Sequence, residues 1–194
     1  MRQPKKTKRT PDLSQRGKLR IIAGKWRGRK LDIIDAPGLR PTPDRVRETL
    51  FNWLQNDIVG ARCLDLFAGT GALGFEALSR GATEVVMVES NGKLLDSLKQ
   101  HATVLGSEQH SIQQADAFSW LQQADKGFDI IFLDPPFEQG YIEKSCALIK
   151  TSSLLNTNGM VYIEAEKGLM LPEGWEIKKQ TSAGNVQSLL IELA

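Results

Sequence analysis

The stretch FLDPPF, residues 132–137, ends an apolar, strand-like run with an acid, two prolines and an aromatic residue. Pro135 and Pro136 give up their backbone N–H donors and fix their φ angles, which predicts a rigid turn with free carbonyl groups. Asp134 precedes that turn and Phe137 follows it. A carboxylate, a carbonyl and a ring together could hold a planar amine. The alternative is a turn that closes a strand over a buried Phe137.

A glycine-rich loop supplies a second candidate site. The residues GTGALG, 69–74, match the G-x-G-x-x-G pattern of dinucleotide-binding loops, and Glu89 follows Gly69 by 20 residues. The alternative is a tight strand-to-helix turn without a ligand. Asp65 lies just before the glycines, and its carboxylate would repel a pyrophosphate but suit an ammonium group. A nicotinamide cofactor is therefore disfavoured, and an NAD-dependent enzyme is kept only as an alternative.

Strand-like and helix-like segments alternate from Arg62 onward. The predicted strands are RCLDLF, EVVMVE, SIQQA, FDIIFLD and GMVYIEAE, and the predicted helices cover 72–80, 92–105, 117–123 and 140–151. WEIKKQT and VQSLLIEL follow as a closing antiparallel pair. This order predicts an α/β fold with a mostly parallel sheet and helices on both of its faces.

Acidic residues fall at or just beyond the ends of predicted strands: Asp65, Glu89, Asp116 and Asp134. Ligands of open α/β sheets bind at the carboxyl ends of the strands. We therefore expect these four side chains to share one edge of the sheet, where they would form a binding site.

The chain is predicted to have three parts: a basic disordered tail over 1–17, a hairpin and helix over 18–57, and a catalytic domain over 58–194. The hairpin would pair strands 18–23 and 29–34 across a glycine turn. Thr42 is predicted to cap the following helix, with Pro43 at the first helical position. We expect this extension to contact RNA and to cover the cofactor.

The N-terminal segment is strongly basic. Residues 1–30 hold twelve Lys and Arg against one acid, a net charge of +11, whereas the other 13 basic and 22 acidic residues give −9. A basic N-terminal segment attached to an acidic domain indicates a nucleic-acid partner. The alternative is a solvent-exposed N-terminal segment that only increases solubility. Trp26, between Lys25 and Arg27, could stack on a base or fold onto the domain.

The composition disfavours several classes of protein. No apolar run approaches the roughly 20 residues that span a bilayer, and the basic start lacks the apolar core of a signal peptide. Cys63 and Cys146, the two cysteines, suffice for neither a disulfide framework nor a metal cluster. We expect both in the core, no metal site, and a reducing cytoplasm as the location.

Five motifs carry a resemblance to a known family: GKWRGRKL, RPTPDRVRETLFNWL, LDLFAGTGALGFEALSRGA, VVMVE and FDIIFLDPPF. The last three look like the class I S-adenosylmethionine-dependent methyltransferases, which implies a Rossmann-like sheet. All five together resemble the bacterial, RsmD-like family that methylates N2 of a guanine in 16S ribosomal RNA. The basic tail lies outside the resemblance.

The resemblance implies a site residue by residue. Contacts to S-adenosylmethionine would come from Thr42, Asp65, Phe67, Gly69, Gly71, Glu89, Asp116 and Ala117. Glu89 would bind the ribose hydroxyls and Asp116 the adenine, although Asp116 could also cap the helix that follows it. The target base would contact Asp134, Pro135 and Phe137. RNA would contact Lys25, Trp26, Arg27, Arg29 and Arg45.

The predicted function is methyl transfer from S-adenosylmethionine to guanine N2 of small-subunit ribosomal RNA. The expected partner is 16S rRNA within a small-subunit particle, with no membrane or metal, and the enzyme is expected to be a monomer. An adenine-N6 methyltransferase on RNA or DNA is the first alternative, because the acid–Pro–Pro–aromatic turn serves both amines. A non-catalytic rRNA-binding assembly factor is the second.

Overall fold

The computed structural model describes residues 17–34, 42–137 and 140–194. In chain order its elements are β1 (Lys18–Arg20), β2 (Lys30–Asp32), α1 (Asp44–Trp53), β3 (Arg62–Asp65), α2 (Ala72–Ser79), β4 (Glu84–Glu89), α3 (Gly92–Leu105), β5 (His110–Gln114), α4 (Ala117–Leu121), β6 (Phe128–Leu133), α5 (Tyr141–Ser152), β7 (Leu155–Glu166), β8 (Trp175–Ala183) and β9 (Val186–Leu193). The predicted strands and helices from Arg62 onward are confirmed. The hairpin strands β1 and β2 are shorter than predicted, and the predicted tail lies outside the described residues except for Gly17.

A seven-stranded sheet in the order β5-β4-β3-β6-β7-β9-β8 forms the body of the fold. Strands β3 to β7 run parallel to their neighbours in that series, whereas β9 runs antiparallel to both β7 and β8. The predicted α/β class and the antiparallel C-terminal pair are therefore confirmed. Because β4 and β6 flank β3 on opposite sides, the loops after β3 and β6 meet at a switch point, where such sheets bind ligands.

Two apolar clusters cover the two faces of the sheet. The hairpin and helices α1, α2 and α3 pack on one face, where Phe51, Phe75 and Tyr162 are buried. Helices α4 and α5 pack on the other face, together with Ile131 and Ile163. The sequence of β6 is almost continuously apolar because both of its faces are covered in this way.

Helix α1 begins differently from the prediction. Pro43 is the N-cap residue and no side chain caps the helix, so the prediction that Thr42 caps it was wrong. Asp44 lies in the first turn, where an acid interacts favourably with the positive end of a helix. The Thr42 side chain instead contacts Asp134 at the edge of the sheet.

Four charged residues join the hairpin and α1 to α2, and we call them the anchor network: Asp44, Arg47, Glu76 and Arg80. Arg47 is 1% exposed and Glu76 is 0% exposed. Glu76 accepts hydrogen bonds from Arg80 Nε (2.8 Å) and from backbone N–H groups of the hairpin, and Arg47 Nη2 donates to the carbonyl of Arg20 (2.9 Å). A buried charge is tolerated when it is paired in this way.

The two cysteines, Cys63 and Cys146, are buried as predicted. Burial raises the pKa of the Cys146 thiol to about 12, and it raises the pKa of Cys63 further still. No helix within the described ranges has both the length and the apolar character needed to cross a membrane.

Candidate active site

The glycine loop joins the end of β3 to the start of α2 and requires glycine at one position. Gly71 has a φ of 78°, and a Cβ there would lie 2.5 Å from a ring carbon of Phe75. A side chain at this position would have a strained backbone and would force the Phe75 ring to move. Phe67 lies half-exposed at the start of the loop, and its ring stacks on that of Tyr141 with the centroids 5.9 Å apart.

The Glu89 carboxylate is held by backbone groups at the end of β4. Its Oε2 accepts a hydrogen bond from the N–H of Gly69 (2.9 Å), and its Oε1 accepts one from the N–H of Asn91 (2.7 Å). Each oxygen therefore has a fixed position beside the glycine loop. An acceptor pair of this kind suits a ligand that carries two neighbouring hydroxyl donors.

Asp65 lies at the end of β3, beneath the first turn of α2. The carboxylate is buried, and its Oδ2 accepts a hydrogen bond from the N–H of Gly74 (3.0 Å). Burial raises the pKa of Asp65 to about 7, and the nearby charges of Asp134 and Glu89 act in the same direction. Asp134 and Glu89 therefore lie close enough to Asp65 to act on it at this edge of the sheet.

Asp116 acts as the N-cap of α4. Its Oδ1 accepts hydrogen bonds from the N–H of Ser119 (2.9 Å) and from the Ser119 hydroxyl (3.0 Å). Those hydrogen bonds lower the pKa of Asp116. The capping role that the sequence left open is confirmed. Asp116 is exposed, whereas the next residue, Ala117, is buried.

Asp134 lies directly after β6, and its carboxylate accepts a hydrogen bond from a residue that is distant in the sequence. The Thr42 hydroxyl donates to Asp134 Oδ2 over 3.0 Å. Burial raises the pKa of Asp134 to about 6, while the hydrogen bond from Thr42 acts in the opposite direction. Thr42, which was predicted to contact a cofactor, thus holds the carboxylate of the Asp-Pro-Pro turn.

A cleft of about 270 Å³ opens beside this turn. Its walls are the turn itself, the start of α5 and the end of β7, and its lining includes Pro135, Phe137, Tyr141, Glu164 and Lys167. Tyr141, Glu164 and Lys167 were not among the predicted site residues. Glu164 lies near the end of a predicted strand, which is the kind of signal that identified the other acids.

The predicted RNA-contacting residues do not all reach solvent. Lys25, Arg27, Arg29 and Arg45 are exposed, and Arg29 Nη2 donates to the carbonyl of Val104 at the end of α3 (2.9 Å). Trp26 is 7% exposed and packs in the core with the hairpin. Of the two alternatives that the sequence left open for Trp26, this burial favours the ring folded onto the domain, with its basic neighbours facing outward.

Comparisons with known proteins agree with this geometry. The family model described as "Conserved hypothetical protein 95" matches residues 19–192. The chain is 43% identical to Ribosomal RNA small subunit methyltransferase D of Escherichia coli K12, over 91% of this chain and 90% of that protein. It is 43% identical to the Haemophilus influenzae protein of the same name, over 91% and 95%.

A solved structure gives the same result for the fold. The yhhF protein of Escherichia coli superposes with a TM-score of 0.85 at 39% identity, covering 91% of this chain and 98% of that one. The family model and the curated relatives both extend over nearly the whole chain. The chain therefore belongs to the family of ribosomal RNA small subunit methyltransferase D.

Proposed function

We propose that the protein transfers a methyl group from S-adenosylmethionine to the exocyclic N2 amine of a guanine in small-subunit ribosomal RNA, in the cytoplasm. The observation that carries the proposal is the position of Asp134, a carboxylate held by Thr42 beside an aromatic-lined cleft and next to the glycine loop. The relatives are named for small-subunit ribosomal RNA, which supports the substrate class.

The residues present fit S-adenosylmethionine better than a dinucleotide. Glu89 and Asp134, together with Asp65 in its ionised form, place negative charge at the switch point, which suits a cation and would repel a pyrophosphate. Glu89 would accept the ribose hydroxyls, Gly69 and Gly71 would allow close backbone approach, and the remaining contacts would come from Phe67, Asp116 and Ala117. S-adenosylmethionine, when bound, supplies an electrophilic methyl group.

The protein must then hold a weakly nucleophilic base amine in the correct position for methyl transfer. The lone pair of an exocyclic base amine is delocalised into the ring. Asp134 and the carbonyl of Pro135 would each accept one amine N–H, which fixes the nitrogen and favours its pyramidal form. Positioning and electrostatics therefore provide most of the catalysis. Asp134 or a water molecule would take the proton that the methylated nitrogen loses.

The aromatic residues of the cleft would receive the base itself. Phe137 follows the turn directly, Tyr141 lies at the start of α5, and both line the cleft. Stacking a base on such a ring contributes about 1–3 kcal/mol per base and offsets part of the loss of stacking within the RNA. Thr42 would act as a positioning residue for Asp134 in this arrangement.

Incubation of the protein with tritiated S-adenosylmethionine and small-subunit particles that lack the modification tests the proposal. The RNA is then digested to nucleosides and the labelled product is identified. N2-methylguanosine is the expected product. N6-methyladenosine would establish the adenine alternative, and unlabelled RNA with firmly bound protein would establish an assembly factor.

We predict that Glu89→Ala weakens S-adenosylmethionine binding by about 1–3 kcal/mol, the range for an orphaned buried partner. The substitution removes both acceptors and leaves the N–H groups of Gly69 and Asn91 without them. Isothermal titration calorimetry measures the effect. Glu84→Ala is the matched control, because Glu84 lies at the opposite end of the same strand. Equal affinity for the folded variant and the wild type would contradict the role of Glu89.

We predict that the double substitution Lys25→Ala/Arg27→Ala weakens RNA binding and flattens its dependence on salt. Each lost phosphate contact on a single strand reduces the slope of log affinity against log salt by up to about 0.7. The matched control is Lys178→Ala/Lys179→Ala, which removes the same charge from exposed positions on β8. An unchanged slope in the hairpin variant would show that these side chains do not contact phosphates.

A further inference from the structure

Glu164 is a charged side chain in the cleft to which the mechanism above gives no role. It lies near the end of β7, is 5% exposed and forms part of the cleft wall together with Pro135, Phe137 and Tyr141. The Tyr162 hydroxyl donates a hydrogen bond to Glu164 Oε1 over 2.9 Å. Burying a carboxylate costs free energy of folding, so a buried carboxylate beside a binding cleft is a candidate for a functional role.

The register of the sheet places Glu164 next to Asp134. Strands β6 and β7 are parallel, and Phe132 pairs with Tyr162 and Leu133 with Ile163. One further step along both strands brings Asp134 beside Glu164, on the same face of the sheet. Neighbouring strands lie about 5 Å apart. Both carboxylates also lie close enough to Tyr162 for their charges to raise the pKa of its phenol.

Tyr162 fixes the orientation of the Glu164 carboxylate. Burial, and after it the charge of Glu164, raises the pKa of the Tyr162 phenol, so the hydroxyl stays a donor at neutral pH. A carboxylate has about four acceptor positions on its two oxygens. The bond from Tyr162 therefore orients Glu164 and occupies one of these positions.

Guanine and adenine differ at the atoms that would meet such a pair. In guanine, the N1–H donor adjoins the N2 amine on the same edge of the base. In adenine, the ring nitrogen N1 beside the N6 amine carries a lone pair and no hydrogen. A second carboxylate next to the one that holds the amine would bind guanine N1–H, and it would repel the lone pair of adenine.

We propose that Glu164 is the residue that selects guanine, by accepting a hydrogen bond from N1–H while Asp134 holds the N2 amine. This inference rests on the proposed guanine-N2 activity and deepens it. It also explains how guanine is distinguished from adenine, which the Asp-Pro-Pro-Phe turn cannot do because it can hold the amine of either base. Tyr162 is a positioning residue in this account, because it acts on the base only through Glu164.

The test uses 2-aminopurine, which keeps the exocyclic amine of guanine but has no hydrogen on N1. Small-subunit particles are assembled from a ligated rRNA that carries either guanine or 2-aminopurine at the nucleotide that the wild-type protein methylates. Initial rates give kcat/KM for each substrate. The variants are Glu164→Gln, Tyr162→Phe and the control Glu176→Gln, an exposed position on β8.

The wild type and Glu176→Gln should prefer guanine on the order of 10- to 100-fold, the usual range for losing one good base contact. The Glu164→Gln variant should lose that preference, because an amide N–H can donate to N1 of 2-aminopurine. The loss of O6 in 2-aminopurine is common to all the proteins and cancels when their preferences are compared. Tyr162→Phe should reduce the preference less, and S-adenosylmethionine affinity should not change in any variant.

The inference is overturned if folded Glu164→Gln keeps a wild-type preference for guanine while N2-methylguanosine is still formed. If Glu164→Gln does not fold, an unchanged preference in Tyr162→Phe overturns it. Failure of the proposed function appears differently: the wild type itself then forms no N2-methylguanosine from the guanine substrate, and nucleoside analysis shows this before any variant is compared.

Discussion

Replacing Asp134 with alanine should lower the single-turnover rate of methyl transfer by about 100- to 1,000-fold, the range for removing one preorganised electrostatic contact to the reacting group. The carboxylate is the side-chain acceptor that the site offers to the amine, and Thr42 holds it in position. The affinity of the variant for S-adenosylmethionine should change far less, since Asp134 is proposed to contact the base. The rate is measured with enzyme in excess over RNA and with saturating cofactor.

The pH dependence of the same rate gives an independent check. The pKa of Asp134 is raised to about 6, so the carboxyl gains a proton and stops accepting hydrogen bonds as the pH falls through that value. The rate should therefore fall below about pH 6 and hold above it. Thr42→Val removes the hydrogen bond that lowers this pKa, so the fall should begin at higher pH.

Asp134→Asn distinguishes a fall in rate caused by protonation of Asp134 from one caused by Asp65, whose pKa burial raises to about 7. A fall in rate that persists in Asp134→Asn belongs to Asp65 or another group, whereas one that disappears belongs to Asp134. Rates within a few-fold of wild type for both Asp134→Ala and Asp134→Asn would mean that this side chain is structural and that the amine is held by other groups.

Replacing Glu76 with alanine should lower the free energy of unfolding by about 3–5 kcal/mol, the range for removing one partner of a buried ion pair. Glu76 accepts hydrogen bonds from Ile22 N–H (2.8 Å), Ala23 N–H (3.0 Å) and Arg80 Nε (2.8 Å), and its Oε2 lies 3.7 Å from Arg47 Nη1. Its loss would remove a negative charge beside the buried Arg47 and would leave two backbone donors and Arg80 Nε without that acceptor. Urea denaturation followed by circular dichroism measures the change.

Glu84→Ala is the matched control, because it removes the same side chain from a partly exposed pair with Arg62. Such pairs contribute about 0–1 kcal/mol, so the control should unfold almost as the wild type does. Equal destabilisation in the two variants would mean that the anchor network contributes no more than a surface ion pair. A large loss confined to Glu76→Ala would show that it attaches the hairpin and α1 to the sheet.

The sequence by itself determined the order and type of the elements from Arg62 onward. Alternating strand and helix periods are local properties, as the matches at α3 (Gly92–Leu105) and β9 (Val186–Leu193) illustrate. The ends of the predicted strands also located Asp65, Glu89 and Asp134, since parallel strands bring their carboxyl ends to one edge. The family followed from motifs whose spacing is likewise local.

The tertiary structure alone decided which distant residues meet. Thr42 and Asp134 are 92 residues apart, and no periodicity connects them. Trp26 lies in a basic stretch that indicates exposure, yet its large apolar ring packs in the core because burial outweighs its charged neighbours. The burial of Arg47 depends on Glu76 in another helix. That Asp134 and Glu164 both follow the Leu133–Ile163 pair depends on the register between β6 and β7. Long-range packing sets each of these contacts, whereas local patterns specify only the elements that carry them.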